Sequence, residues 1–349
     1  MGGRANRPPD HSCFSFESNS MLYFLIRRIL AMLLTFWAVS FVAFLIMELP
    51  PGDFASTRVS EMSAAGVRVD PEMAARLREL FRLDEPVLVR YWSWFTRLVQ
   101  GDFGYSLAFN MPVRDLIAAQ LPNTLLVDGV TLLFMWVVAI PIGIYSAVRQ
   151  YSLGDYAATI LGFVGVAVPN FLLALLLMWL FYTQFGVVLG GLHSQEFADD
   201  RLSWPALRDL ANHLWPPVLV AGAAGMAALI RVMRANLLDE LRKPYVTTAR
   251  AKGMREWRLI LRYPVRIAMN PIVSSIGWVL PSLISSATIV AIVMNMPTLG
   301  PLLLNSLMVQ DMFLAGGVLM VMAMLTLVGT LLSDILLYWL DPRIRISGR

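Results

Sequence analysis

The residues with the most chemistry to offer in this sequence are cations. From Arg231 to Arg266 there are ten Lys/Arg against three Asp/Glu. Positive charge concentrated beside membrane-length apolar sequence keeps a short loop in the cytoplasm and attracts anionic lipid. Hydroxyls form the second group. Ser274, Ser275, Ser282, Ser285 and Ser286 sit in an otherwise apolar stretch, more polar than lipid exposure favours, and suit either a helix interface or a wet pore wall. Asp128 and Asp334 lie towards the ends of apolar stretches, where headgroup water reaches a carboxylate. His11, His193 and His213 share no metal-ligand spacing, and Cys13 is the single cysteine, so neither a metal centre nor an intrachain disulfide is expected. No paired acids and no Ser/His constellation occur within the apolar stretches, so no catalytic residue is nominated. The phosphate-binding pattern Gly-x-x-x-x-Gly-Lys-Ser/Thr is also missing from the sequence. Any ATP-driven step would need another polypeptide.

These groups must be positioned by membrane helices. The 349 residues are 57% hydrophobic and 15% charged, with mean hydropathy +0.63, which excludes an ordinary soluble domain. The net charge of +4 reflects inside-facing loops rather than nucleic-acid binding, because the basic residues flank apolar spans.

Residues 1–20 are polar and read as a disordered tail. The first span occupies 21–49; within it Ile29 to Met47 carries no charge, about the length of a hydrocarbon core, and Arg27 and Arg28 place its front in the cytoplasm. Pro50-Pro51-Gly52-Asp53 opens a charge-balanced extracytoplasmic region over 50–122. Helices are predicted there from Met73 to Phe81 and from Val87 to Val99, the second with Leu88, Tyr91, Trp92, Phe95, Leu98 and Val99 on one broad apolar face, as in helices at a membrane interface or in a buried one. Five more spans follow within 123–345: Leu125–Val148, Ala157–Phe181, Pro217–Val232, Ile272–Met294 and Phe313–Leu340. Pro141 and Pro169 interrupt two of them. The small residues around Gly222 and Gly225 let another helix approach closely. Thr183 to Pro216 is an outer loop, as is Asn295 to Met312. Length and charge thus give an all-α membrane protein of six transmembrane helices, with both termini cytoplasmic.

The basic loop, 233–268, has local structure of its own. Pro244 fits a first helical turn, which needs no amide donor, and Gly253 supplies the positive φ that ends a helix. Tyr245-Val246-Thr247-Thr248-Ala249-Arg250-Ala251-Lys252 is a helix between them. About two turns do not persist alone in water, so it must pack on something. Thr247, Thr248 and Ala251 form a small-residue face suited to a protein groove.

The spacing Thr247-Thr248-Ala249-x-x-x-Gly253 resembles the Glu-Ala-Ala-x-x-x-Gly loop of permeases of ABC importers. The wording YVTTARAKGM is similar to the dipeptide, oligopeptide and nickel branch of that family. Gly101-Asp102-Phe103-Gly104-Tyr105-Ser106 and the ending Asp341-Pro342-Arg343 resemble it as well, so the likeness runs from Met21 to Arg345. The resemblance implies a type I ABC importer permease fold with an extracytoplasmic insertion after the first helix. It implies a coupling helix, Tyr245 to Gly253, that docks on one of two ABC ATPase subunits. It further implies a second homologous permease subunit, an extracytoplasmic solute-binding protein, and a multi-pass place in a bacterial inner membrane. No cofactor would be bound by this chain, ATP and Mg belonging to the ATPase subunits, and the serines named above would be the candidate pathway. The implied cargo is a peptide or related oligomeric solute. Where the family has Glu and Phe before Pro-Gly-Leu-Gly, this chain has Ala291, Met294 and Pro297-Thr298-Leu299-Gly300, which leaves an oligosaccharide or opine importer as the alternative. The alternative class is an ion-coupled secondary transporter, but neither midplane acids nor an inverted repeat support it.

Overall fold

The computed structural model describes residues 12–48, 85–106, 108–197 and 203–340; at 12–22, 195, 275–278, 280–281 and 337–340 it describes the backbone alone. Residues 1–11 of the expected tail, the Pro50–Asp53 helix stop, the helix predicted from Met73 to Phe81 and the Asp341–Arg343 ending lie outside the described residues. Apolar sequence in a bilayer must satisfy every amide within its own segment, which selects helices. The elements are α1 (Ser12–Glu48), α2 (Val87–Val99), α3 (Val113–Val148), α4 (Leu153–Ala167), α5 (Asn170–Phe185), α6 (Trp204–Leu241), α7 (Pro244–Ala251), α8 (Glu256–Arg262), α9 (Pro264–Ala268), α10 (Asn270–Val293), α11 (Leu299–Met308) and α12 (Met312–Leu340). A two-residue antiparallel ribbon precedes α3, with Tyr105 opposite Pro112 and Ser106 opposite Met111.

Among the described residues, four helices are long and apolar enough to cross a membrane, and five when α4 and α5 count as one bent span. The 24 residues of α10 make roughly 36 Å of helix, long enough for a further crossing. Arg28, midway along α1, pairs with Asp334 in the last third of α12 at 3.2 Å, tying the first long helix to the last.

Several boundaries differ from those the sequence suggested. The backbone of α1 is helical from Ser12, inside the stretch read as a tail, because propagating an existing helix adds one hydrogen bond for each residue fixed. α3 starts at Val113 rather than Leu125 and carries both Pro122 and Pro141 without a break; Asp115 in its first turn complements the positive end of the helix dipole. α6 starts at Trp204 rather than Pro217 and passes through Pro216 and Pro217 to Leu241, 38 residues in all. Membrane helices tolerate proline where neighbours satisfy the freed carbonyls. Pro169 acts differently. It drives Val168 to an extended conformation at φ −92 and ψ 122, and α4 and α5 meet at 107°. The stretch read as one straight span, Ala157 to Phe181, is bent there. Part of the outer loop before α12 is helix as well: α11 buries Leu299, Leu302 and Ser306.

The most extensive helix contact is between α3 and α6, and it depends on residues without side chains. A Cβ on Gly143 would come within 2.7 Å of Met233, and one on Gly225 within 2.2 Å of Met135. Each helix offers a glycine to a methionine of the other, as the small-residue stretch anticipated.

The apolar face expected of α2 divides. Tyr91, Trp94 and Leu98 are buried, with Tyr91 meeting Phe41 and Phe44 edge-on and sharing a 2.9 Å hydrogen bond with Ser40. Leu88, Trp92 and Val99 stay exposed. Arg90 fixes the helix to α1 by donating to both oxygens of Glu48 at 2.7 and 2.6 Å.

Candidate functional site

The basic loop is shorter than its charge suggested, because α6 continues to Leu241 and carries Arg234 on a rigid helix. Arg234 meets Asp155 near the start of α4, Nε to Oδ1 and Nη2 to Oδ2, both at 2.8 Å. Asp155 is 2% exposed and also accepts from Ser146 Oγ at 2.5 Å and Tyr151 N at 2.9 Å. A buried carboxylate is tolerable only with this many donors. Ser152 caps the start of α4 by accepting from the Asp155 amide, while the Asp155 carboxylate ties the α3–α4 turn to α6.

Immediately past α6 the chain turns into α7 over Glu240. Its carboxylate accepts from Lys243 Nζ at 2.5 Å and from Tyr245 Oη at 2.7 Å. Burial, aided by the hydrogen bond to Glu240 and the charge of that carboxylate, raises the Tyr245 phenol above its ordinary value. Val246, fully buried, anchors α7 in an apolar cluster with Leu237, Leu259 and Ile260. Pro244 occupies the first turn, as its missing donor allows.

The far end of α7 closes with a Schellman motif. The Gly253 amide donates to Arg250 O at 3.0 Å and the Met254 amide to Ala249 O at 3.4 Å; Gly253 has φ +77, and Met254 and Ala249 both pack on the same apolar cluster. Arg250 then returns to Glu256 through Nε at 2.5 Å and Nη2 at 3.1 Å. That hydrogen bond, together with the arginine charge, holds the Glu256 carboxyl below its ordinary value.

The nine residues of the predicted coupling segment therefore form one helix and its cap, but they do not share one role. Val246 is buried, Tyr245 is half-buried on Glu240, and Ala249 is half-buried. Thr247, Thr248, Arg250, Ala251, Lys252 and Gly253 are exposed. The small-residue face, Thr247, Thr248 and Ala251, points away from the chain on a helix fastened at both ends.

The serines of α10 separate in a similar way. Ser286 accepts from Asn170 Nδ2 at 2.5 Å and donates to Ala221 O at 3.2 Å, joining α5, α6 and α10. Ser274, Ser282 and Ser285 are exposed, and the first two satisfy their hydroxyls on carbonyls of their own helix. The Ser275 side chain lies outside the described residues.

Sequence reasoning passed over Asp155, Glu240 and Asp311. The signal for the first was present, since Ser152-x-x-Asp155 is the opening of a capping box. Asp311, 2% exposed, caps α12 by accepting from Leu314 N at 3.1 Å and receives Ser106 Oγ at 2.6 Å. The Gly-Asp-Phe-Gly-Tyr-Ser turn is thus a fixture on the last helix: Gly104, at φ +82, lies so close to Phe313 that a Cβ there would stand 2.8 Å from the ring. Two histidines twenty positions apart also converge, with Asp209 3.4 Å from His213 and 4.0 Å from His193. Among the described residues no group of three or more His, Cys, Asp or Glu could hold a metal ion.

Residues 139–346 match the model of the family described as binding-protein-dependent transport system inner membrane component, and residues 21–128 match that of its N-terminal part. The chain is 34% identical to the oligopeptide transport system permease protein of Bacillus subtilis over 330 residues, covering 93% of this chain and 99% of that protein. It is 31% identical to the dipeptide transport system permease protein of Escherichia coli K12, again over 93% and 99%. The same figures, 31%, 93% and 99%, hold for the glutathione transport system permease protein of Salmonella choleraesuis.

Proposed function

The chain belongs to the inner-membrane components of binding-protein-dependent transport systems, and from that premise we propose that it forms half of the pathway of an ABC importer for short peptides or related oligomeric solutes, with α7 as the helix on which an ATPase subunit docks. Membership makes it a multi-pass transport subunit of the bacterial inner membrane rather than an enzyme. A solute-binding protein and an ATPase are the partners the family implies. The finer reading has six spans with both termini inside, two ATPase subunits that hold ATP and Mg, and a second, homologous permease that completes the pathway.

One observation carries this reading. α7 is too short to be stable alone, yet it is held by a buried valine, a two-donor clamp on Glu240 and a Schellman cap, and its small-residue face is left open. A rigid, exposed pair of turns at the end of a 38-residue helix is suited to transmit a push from a docked subunit to α6. α6 in turn contacts α3, α4 and α10, so a displacement at α7 reaches most of the bundle. The peptide class of cargo is supported by the functions that name the relatives, oligopeptide, dipeptide and glutathione transport.

The test is to extract the chain, tagged at its C-terminus, from its own membrane in mild detergent and identify its companions by mass spectrometry. An ATPase and a second permease in fixed ratio support the proposal. Recovery of the chain alone, or only with itself, contradicts it.

A further inference from the structure

Between α7 and the next span, α8 and α9 present three separate sectors. Leu259 and Ile260 of α8 and Val265 and Ala268 of α9 are buried against the protein. Trp257 and Leu261 are 58% and 52% exposed, and Tyr263 and Ile267 are exposed beside them. Arg255, Arg258, Arg262 and Arg266 are also exposed. At about 100° per residue, Trp257 and Leu261 lie about 40° apart on α8, while Arg258 and Arg262 lie about 100° further round. One helix thus turns an apolar strip and a basic strip outwards, side by side.

The nearby sequence offers these arginines almost no counter-charge. Glu256 is the one acid from Arg255 to Asn270, and it is taken by Arg250. Among the described residues none of these four arginines forms an ion pair. Two lie over rings instead: the Arg258 guanidinium is 5.1 Å from the centre of Trp257, and that of Arg262 is 5.9 Å from the centre of Tyr263. Such a cation sits at the edge of an apolar patch, where an anion bound to it would rest beside the rings. α9 is followed after one residue by α10, so this surface adjoins the point where the chain enters apolar sequence.

We propose that α8 and α9 form an interfacial anchor for anionic phospholipid of the cytoplasmic leaflet, with Trp257 and Leu261 in the boundary between headgroups and acyl chains and Arg258 and Arg262 on the lipid phosphates. Charge alone would suit an acidic protein equally well. The interleaved rings and the direct continuity with a span favour lipid, because amphipathic segments with Trp and Leu on one side and arginine on the other lie in that boundary, and anionic headgroups attract juxtamembrane cations. The anchor is separate from the Thr247/Thr248/Ala251 face, and it does not depend on what the chain transports. It would hold the base of α7 at a fixed height above the membrane.

The test uses the full chain with a nitroxide attached through L261C in a C13S background, reconstituted in phosphatidylcholine vesicles with and without phosphatidylglycerol. Collisions with oxygen, which partitions into lipid, are compared with collisions with a water-soluble nickel chelate. Phosphatidylglycerol should shift the label towards oxygen and away from nickel. R258Q/R262Q should abolish the shift, and R258K/R262K should retain it, which separates charge from a folding defect. A label equally open to nickel in both vesicles, or a shift that survives R258Q/R262Q, overturns the proposal. Shielding from both reagents only after ATPase subunits are added would assign the surface to a protein and also overturn it.

Discussion

Arg234 holds Asp155 through two parallel hydrogen bonds of 2.8 Å, joining the turn between α3 and α4 to the helix that leads into α7. The guanidinium is 28% exposed and the carboxylate 3%, so most of the desolvation falls on the acid. Its other donors, Ser146 and the Tyr151 amide, keep that burial tolerable. A push on α7 would therefore travel up α6 into a turn that is fixed to it, rather than being lost in a loose contact.

Asp155→Asn should destabilise the chain. Breaking one side of a buried pair costs about 3–5 kcal/mol, and the partial exposure of Arg234 places the expected loss at the lower end. Thermal unfolding in detergent measures it. Removing Arg234 as well should cost less than the sum of the two single changes, because each already loses the same bond.

Gly253→Val should leave membrane insertion intact and abolish uptake. No atom lies within 4 Å of an added Cβ, so the effect is backbone strain at φ +77, about 1–2 kcal/mol, released by undoing the Schellman cap. Gly253→Asn, which tolerates the left-handed region, should retain more uptake. Wild-type transport by the valine variant would count against a fixed α7.

Tyr245→Phe removes one donor from Glu240 while leaving Lys243 in place. A hydrogen bond to a charged group contributes roughly 1.5–3 kcal/mol. Hydrogen exchange should therefore quicken in α7 and remain unchanged in α3. Equal protection of α7 in both proteins would show that the Glu240 clamp does not hold it.

Gly104→Ala should loosen the outer hairpin from α12, since the new methyl would stand 2.8 Å from Phe313 at a position with φ +82. Phe313→Ala in the same chain should relieve the clash and leave the strain. Because Phe313 also packs on two apolar clusters, its truncation has a cost of its own, and the double variant should lose less in melting temperature than the sum of the two single changes.

The parts of the fold that could be read in the sequence are those set by local chemistry. Pro244 and Gly253 frame α7 because a missing amide donor and a positive φ are properties of single residues. The long apolar spans follow from the bilayer thickness, and the small residues around Gly222 and Gly225 announce close packing, since the Met135 side chain lies directly over both glycines. What stayed hidden depends on distant partners or on context. Arg234 and Asp155 are 79 positions apart, and a basic loop gives no hint that one of its arginines belongs to a helix. Proline is ambiguous in the sequence for the same reason: Pro141, Pro216 and Pro217 are carried within helices, whereas Pro169 sits at a 107° bend. Tyr245 to Gly253 is legible as one helix and its cap, but that Val246 faces inwards depends on Leu259 and Ile260, which come from the next helix.

Docking of an ATPase subunit on α7 can be tested by placing a photo-activated cross-linking side chain at Thr248, and separately at Val246, in the transporter within its native membrane. An adduct with an ATPase subunit is expected from Thr248, which is exposed, and adducts only within the chain from Val246, which is buried. Adducts from Thr248 to lipid or to this chain alone, in membranes where uptake is active, would contradict docking at this helix.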